Sequence, residues 1–258
     1  MTTEIHPTAI VDSSASLGEG VSVGPYSVIG AHVEIGANAR VMAHVYLDGH
    51  TRIGSNCTIF PFASIGTQTQ DLKFKGGTTH VDIGERTVIR EYVTVNSGTE
   101  DGEVTRVGSG CLLMAYSHVA HGCVVGNEVI LANCGTLAGH VVMDDHAILG
   151  GLSAVHQFVH IGRLAIIGGC SKITQDCPPF MTIDGHPAQV RGVNRVGLQR
   201  HGFDEDSMKN LKAAYRILYR EGKSVTQAVE NLRAEFGDDA EIRELIEFIS
   251  RSERGIIK

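Results

Sequence analysis

Aliphatic residues recur along this chain with a period of six. From Ile5 to Ile173 in steps of six, 26 of 29 positions hold Ile, Val, Leu or Met, and glycine directly follows twelve of them. An amphipathic helix would repeat every 3.6 residues and a half-buried strand every two. The pattern therefore predicts very short strands separated by turns, with one inward-facing aliphatic side chain per repeat.

A single six-residue repeat cannot bury its own aliphatic side chain, but stacked repeats form a continuous core. The pattern resembles that of the bacterial hexapeptide-repeat proteins, which implies a left-handed parallel β-helix with three repeats per coil. The repeat fails at three positions, in two segments that we interpret as inserted loops at about residues 66–82 and 97–106: Asp71, Gly77 and Asp101. We therefore expect a mainly β fold, with the β-helix over residues 1–190.

The period changes after Pro178 and Pro179. From Phe203 onward, apolar residues fall at helical spacings of three and four, at Met208, Leu211, Ala214, Tyr215, Leu218 and Tyr219. Further helical segments are predicted at about 224–236 and 240–252. We interpret residues 191–258 as an α-helical C-terminal domain.

Composition excludes several classes of function. The net charge of −7, the pI near 6.0 and the absence of Trp argue against nucleic acid or an anionic membrane as a partner. No apolar run approaches the roughly 18 residues that span a bilayer, and the start of the chain lacks a signal-peptide pattern. Six scattered cysteines without a Cys-x-x-Cys pair are typical of free thiols. We expect a cytoplasmic protein.

Four histidines cluster in the central repeats. Residues 18 apart should stack on one face, as do Val119, Leu137 and Val155, and each of these is followed within three residues by a histidine. The cluster consists of His118, His121, His140 and His156. The first inserted loop leaves at Ile65 and returns at Ile83, which the count of 18 places in the same column. A polar loop beside stacked imidazoles, roughly 5 Å apart by strand spacing, predicts a functional site.

Other interpretations of these residues stay open at this point. The histidines could be solvated, pack against another subunit or bind Zn²⁺, as in the carbonic-anhydrase-like hexapeptide lyases. A non-catalytic β-solenoid that serves as an assembly surface is a further alternative. We interpret Cys57, Cys111 and Cys134 as core or corner thiols, because they occupy repeat positions where small side chains are typical. The glycine-rich stretches fit the turns of the repeat better than a phosphate-binding loop.

Several segments narrow the resemblance to one family. They are QDLKF (70–74), LLMAYSHVAHG (112–122), LAGHV (137–141), AVHQF (154–158) and a C-terminal SERG. They resemble the UDP-N-acetylglucosamine O-acyltransferases over nearly the full chain. The resemblance implies transfer of a (3R)-3-hydroxyacyl chain from acyl carrier protein to the glucosamine 3-position of UDP-N-acetylglucosamine, the first step of lipid A biosynthesis. It also implies a homotrimer with sites between subunits and no metal or other cofactor.

The resemblance also implies roles for individual residues. His121 corresponds to the general base, and Gly139 to the residue whose N–H faces the thioester oxygen. These types suit the chemistry, because imidazole titrates near neutral pH and a fixed N–H stabilises an oxyanion. The expected substrate-binding residues are Gln70, Asp71, Lys73, His118, His140, His156, Gln157, Gly169, Asn194 and Arg200. Among them, Asp71 and Lys73 would meet the glucosamine and the acyl donor, and Gly169 would close the acyl groove.

Three positions depart from the family pattern. Gly122 follows the expected base, where most relatives carry an acidic residue. Asn96 and Ser97 replace a common His-Arg pair, and Val196 replaces an acidic residue near the expected uridine site. These departures leave open whether the acceptor carries a 3-hydroxyl or a 3-amino group. Basic residues of the tail could meet an acidic carrier protein or form a solvated helix face.

Overall fold

The chain folds into a triangular β-helix followed by four helices. The computed structural model describes residues 2–258. Successive short strands pass in turn to a first, a second and a third sheet, and each strand pairs in parallel with the strand one coil away. The predicted left-handed parallel β-helix of hexapeptide repeats is confirmed.

The strands of the first sheet are Glu4–Ile5, Ser22–Val23, Arg40–Val41, Thr58–Ile59, Val88–Ile89, Leu112–Leu113, Ile130–Leu131, Ile148–Leu149, Ile166–Ile167, Met181–Gly185 and Ala188–Val193. Those of the second are Ile10–Val11, Val28–Ile29, Tyr46–Leu47, Ser64–Thr67, Thr94–Asn96, His118–Val119, Thr136–Leu137, Ala154–Val155 and Lys172–Ile173. Those of the third are Ser16–Leu17, Glu34–Ile35, His50–Ile53, His80–Ile83, Val104–Val107, Val124–Val125, Val142–Met143 and His160–Ile161.

The six-residue period matches the strands directly. Every one of the 26 aliphatic positions lies in a strand, and from Val23 to Ile173 all of them are buried. Burying one such side chain contributes roughly 1.5–3 kcal/mol. In the first coil, which has no coil below it, Ile5 is 47% exposed.

Tight corners join the sheets, and we number them in chain order. The first corner leads from the first to the second sheet, the second corner from the second to the third, and the third corner back to the first. The residue three past each buried aliphatic position often has positive φ, as in Tyr26 (58°), His140 (59°) and Phe158 (64°). The corner thus turns the chain within a few residues and points these side chains outward.

Both inserted loops leave the β-helix at the second corner. The first covers residues 68–79, between Ser64–Thr67 and His80–Ile83, and the second covers 97–103, between Thr94–Asn96 and Val104–Val107. The placement of Ile83 in the column of Ile65 was wrong. Ile83 lies in the third sheet, because the loop occupies sequence without adding strands and so shifts the count of 18.

The helices follow an antiparallel hairpin, Met181–Gly185 with Ala188–Val193, that extends the first sheet. They are α1 (Arg195–Arg200), α2 (Glu205–Tyr219), α3 (Val225–Phe236) and α4 (Ala240–Arg251). Asp204, Ser224 and Asp239 cap the last three. Arg163 of the β-helix forms an ion pair with Glu244 of α4 at 2.7 Å. Within residues 2–258, no helix has the length and apolar character needed to cross a membrane.

Candidate active site

Stacking at the second corner explains the arrangement of the predicted site residues. In successive coils, residues that follow the buried aliphatic residue by the same number of positions lie above one another. His121, Gly139 and Gln157, each two positions past it, therefore form one column. Gly122, His140 and Phe158 form the next. A Cβ on Gly139 would overlap the imidazole ring of His121. The absence of a side chain at Gly139 therefore leaves the space that the His121 ring occupies.

His121 and His140 are in direct contact. Their ring centroids are 4.9 Å apart with planes at 86°. The next ring above His140 belongs to Phe158, which stacks on it at 4.8 Å and 1°. His156 sits at a different offset, where its Nδ1 lies 3.1 Å from the Gln157 carbonyl and 3.3 Å from Nη2 of Arg254. The expected group of three histidines is thus a contacting pair with an exposed third member on the same corner.

The two inserted loops bring one carboxylate to each histidine of the pair. Asp71 of the first loop has its Oδ2 3.8 Å from Nε2 of His121, and both side chains are largely buried. Glu103, at the end of the second loop, has its Oε1 3.2 Å from Nδ1 of His140. The second corner therefore carries two imidazole–carboxylate pairs side by side.

The surroundings favour the neutral form of His121. Burial lowers its pKa and the nearby His140 lowers it further, while Asp71 and Glu103 act in the opposite direction. Burial, and then the charge of His121, also lower the pKa of His118. The His121 Nδ1 atom is buried and has no hydrogen-bond partner among residues 2–258. A neutral imidazole whose Nε2 lies near a carboxylate can accept a proton during a reaction.

The remaining residues of the first loop are held differently. Gln70 donates from Nε2 to Oδ1 of Asn96 at 3.3 Å. The buried Asn96 side chain in turn donates to Oγ1 of Thr67 at 2.9 Å. Asn96 therefore anchors the base of the loop. Lys73 donates its backbone N–H to Asp71 at 2.9 Å, and its exposed side chain is available to a substrate.

Three predicted residues lie at other corners of the same chain. Asn194 caps α1 through Gly197 and donates to the carbonyl of Leu164, at the third corner, so its side chain is engaged within the fold. Arg200 is exposed in the last turn of α1. Gly169 is exposed at the first corner, two residues past Ile167. One chain therefore does not bring these three residues to the corner of His121.

The metal alternative has a defined geometric test. Among residues 2–258, the group of His, Cys, Asp and Glu side chains close enough to share a metal ion is Glu128, His146 and His201, whose donor atoms lie within 4.8 Å of one another. This group lies at the third corner and beside α1. Because it contains none of the second-corner histidines, the described residues of a single chain do not form a metal site from those histidines.

Comparison with known proteins agrees with the fold and identifies the family. Residues 176–257 match the family described as UDP-N-acetylglucosamine O-acyltransferase, domain 2, and residues 14–49 and 105–139 match the bacterial transferase hexapeptide family. An acyl-[acyl-carrier-protein]–UDP-N-acetylglucosamine O-acyltransferase of Alkalilimnicola ehrlichii is 52% identical, over 99% of this chain and all of the relative. This chain belongs to the UDP-N-acetylglucosamine O-acyltransferase family.

Solved structures of similar proteins extend the match to three dimensions. The UDP-N-acetylglucosamine acyltransferase of Bacteroides fragilis is 38% identical, with a TM-score of 0.95 over 98% of this chain and 99% of the other. A structure from Acinetobacter baumannii is 40% identical, with the same TM-score and coverage. The likeness to these acyltransferases thus includes the inserted loops and the terminal helices as well as the repeats.

Sequence reasoning missed two residues at the second corner. Glu103 is one of three acidic residues in the second loop, and the sequence does not distinguish it from Glu100 and Asp101. Its contact with His140 in the structure does. Arg254 lies in the SERG segment that carried the family resemblance. It reaches His156 because Ser252 donates to Asp176 at 2.6 Å and holds the C-terminal segment across the β-helix.

Proposed function

We propose that this chain transfers a (3R)-3-hydroxyacyl group from acyl carrier protein to the 3-position of the glucosamine in UDP-N-acetylglucosamine. Membership of the acyltransferase family over 99% of the chain carries the proposal. The second corner supports it, because burial lowers the pKa of His121 and so favours a neutral imidazole, with a carboxylate from each inserted loop nearby. The alternatives of a metal-dependent lyase and of an assembly module are not favoured.

The proposed mechanism is a direct transfer in which His121 acts as the base. The sugar hydroxyl attacks the thioester carbonyl while the neutral imidazole of His121 takes its proton. The new C–O bond forms first, and the C–S bond then breaks as the tetrahedral intermediate collapses. The His121 imidazolium returns its proton to the leaving thiolate of the carrier. Positioned general bases of this kind contribute about 10²–10⁴-fold to rate.

Two features support charge stabilisation along this path. The Gly139 N–H makes no hydrogen bond to any of residues 2–258, so it is free to donate to the developing oxyanion. The Asp71 carboxylate, near Nε2 of His121, favours the imidazolium that forms when the proton is taken. In this proposal His118, His140, His156, Gln157 and the loop residues Gln70 and Lys73 bind the substrates.

The proposal includes a homotrimer with sites between its subunits. Asn194 and Arg200 would then reach the second corner of a neighbouring copy. An apolar strip on the first corner supports such packing, because contiguous exposed apolar residues often mark an interface. The strip consists of Tyr26, Phe62, Tyr92, Tyr116 and Leu152, each 44% exposed or more.

The donor and the compartment fit the same proposal. Acyl carrier protein is acidic, and the basic residues of α2 and the segment after it offer a complementary charge: Lys209, Lys212, Arg216, Arg220 and Lys223. All six cysteines are free thiols, as expected in a reducing compartment. We therefore place the reaction in the cytoplasm.

Mass analysis of products tests the proposed function. The purified protein is incubated with UDP-N-acetylglucosamine, or its 3-amino analogue, and a series of 3-hydroxyacyl carrier proteins. The expected product is the nucleotide sugar increased by one hydroxyacyl group, formed equally with and without a metal chelator. If neither acceptor is acylated, the proposal is refuted. If a chelator abolishes activity and added zinc restores it, a metal site of the lyase type is favoured instead.

A further inference from the structure

Glu103 is held by its own loop. Its Oε2 accepts the backbone N–H groups of Thr99 and of Glu100, the latter at 3.2 Å. Its Oε1 lies 3.2 Å from Nδ1 of His140, and only 18% of its side chain is exposed. Because the loop fixes one carboxylate oxygen, the other is presented to His140 with little freedom.

Gly122 provides the space that this carboxylate occupies. Its φ is 65°, and a Cβ built on it would overlap both Oε1 of Glu103 and Nδ1 of His140. The Gly122 N–H donates to Oγ1 of Thr105 at 3.0 Å, which fixes the backbone there. Position 122 was one of the departures from the family pattern, since it lacks an acidic side chain. In this chain a carboxylate from a different loop fills the same space.

The contacts of His140 fix both its plane and its orientation within that plane. Stacking on Phe158 sets the ring plane. A carboxylate can only accept a proton, and Oε1 of Glu103 lies 3.2 Å from Nδ1, so its charge favours the tautomer with the proton on Nδ1. In the neutral ring, Nε2 then carries the lone pair and can accept a hydrogen bond from a hydroxyl or N–H group of the acceptor sugar.

We propose that Glu103 is a positioning residue that sets the tautomer and orientation of His140 for binding the acceptor, in place of an acidic side chain at position 122. The inference rests on the proposed acyl transfer, and it assigns a role to a loop residue outside the repeat pattern. Glu103 acts through His140 and does not touch the reacting atoms.

The first test is Glu103→Gln, with Glu100→Gln as the matched control in the same loop. Glutamine keeps the shape but can present an N–H group to Nδ1, so His140 loses its fixed orientation. We expect a rise of roughly tenfold to 100-fold in the KM for the nucleotide sugar, as for loss of a charged hydrogen bond. The KM for the acyl donor should be unchanged, and Glu100→Gln should behave as wild type.

The second test moves the carboxylate from residue 103 to residue 122. Gly122→Asp alone should impair binding of the acceptor, because the new side chain overlaps Glu103 and adds a like charge. Aspartate tolerates positive φ better than most residues. In the double variant with Glu103→Ala, the carboxylate introduced at position 122 should take the vacated space. The KM for the nucleotide sugar should then return to within roughly threefold of wild type. If the two substitutions acted independently, their effects on KM would add and the double variant would be worse than either single variant.

The pH profile separates positioning from a general loss of stability. The Glu103 charge raises the pKa of His121 against the larger effect of burial. Glu103→Gln should therefore move the acid limb of kcat/KM to lower pH.

The outcomes distinguish the two proposals. A wild-type protein that forms no acylated product refutes the function itself. An active wild type with Glu103→Gln kinetics equal to those of Glu100→Gln refutes the role of Glu103. So does an equal rise in both KM values, or a double variant that is no better than Glu103→Ala alone.

Discussion

At the scale of single residues, His121 is the side chain on which the proposed chemistry depends. It lies against Gly139, contacts His140 and faces Asp71. We expect His121→Ala to reduce kcat about 10²–10⁴-fold, the usual effect of removing a general base. The thermal unfolding temperature should change little, because the β-helix core lies beneath the ring. Turnover is followed by thiol release from the carrier, with His6→Ala, an exposed histidine of the first coil, as control. A variant with more than about a tenth of wild-type turnover would contradict this role.

The pH dependence follows from the same residue. A base must be unprotonated to act, and burial lowers the pKa of His121 below its usual value. Activity should therefore persist on the acid side, with the acid limb of kcat/KM below about pH 6.5. Asp71→Asn removes a charge that raises this pKa, so the acid limb of kcat/KM in this variant should lie at still lower pH. An acid limb above the usual histidine range, or a shift to higher pH in Asp71→Asn, would exclude His121 as the titrating base.

The same corner shows what the sequence could and could not predict for individual residues. Counting by 18 identified the corner of His121, His140 and His156, because coil stacking repeats the same offset. The offsets of two, three and one could be counted in the sequence, but their consequence could not be predicted: His140 meets Phe158 while His156 meets Arg254. Glu103 had no periodic signal at all. Its position depends on backbone hydrogen bonds within an irregular loop.

At the scale of structural elements, the repeats and the places of both loops were predictable, but the conformations of the loops were not. Each short strand buries one aliphatic residue, so the period of six marks both the strand and its inward side. An inserted loop breaks the phase without adding strands, which is why Ile83 was assigned to the wrong sheet. The loops also carry Asp71, which the family resemblance identified, and Glu103, which only the conformation of the second loop brings to the site.

We expect Gly169 to line the far end of the groove that holds the acyl chain, and its height along the β-helix makes this testable. Gly169 lies three coils above His121, or about 14 Å at the usual strand spacing. A longer acyl chain that fits into this groove gains about 0.8 kcal/mol of binding free energy per buried methylene. We expect wild type to prefer 3-hydroxymyristoyl-type donors, and Gly169→Met to shift the preference to shorter chains without abolishing activity.

The structure allows this substitution, because a Cβ at Gly169 meets only the Gly151 backbone, at 3.2 Å. Product masses from a mixture of donors report the preference. Ala43→Met, at the equivalent corner position six coils below, is the matched control. An unchanged length profile in Gly169→Met, or a wild type that already prefers short donors, would make Gly169 an ordinary corner glycine.

At the scale of the whole molecule, the predicted site residues divide between corners. His121, His140 and the two loops lie at the second corner, whereas α1 with Asn194 and Arg200 follows the third corner. The sequence could not reveal this division, because the family resemblance assigns residues to a site without assigning them to a subunit. A complete site in one chain would require Arg200 to cross to another edge of a rigid β-helix. In the proposed trimer, Arg200 of a neighbouring copy would supply this group instead.

Subunit complementation tests this arrangement. His121→Ala and Arg200→Ala should each lose most activity when pure, because every site in either homotrimer lacks one group. If each site combines His121 of one copy with Arg200 of its neighbour, random mixing leaves about one site in four with both groups intact. The two variants are unfolded, mixed, refolded and sized by light scattering, and activity should recover towards a quarter of that of refolded wild type. Co-refolding each variant with itself controls for refolding losses. A mixture no more active than its parents, or an active species with the mass of a monomer, would place the whole site within one chain.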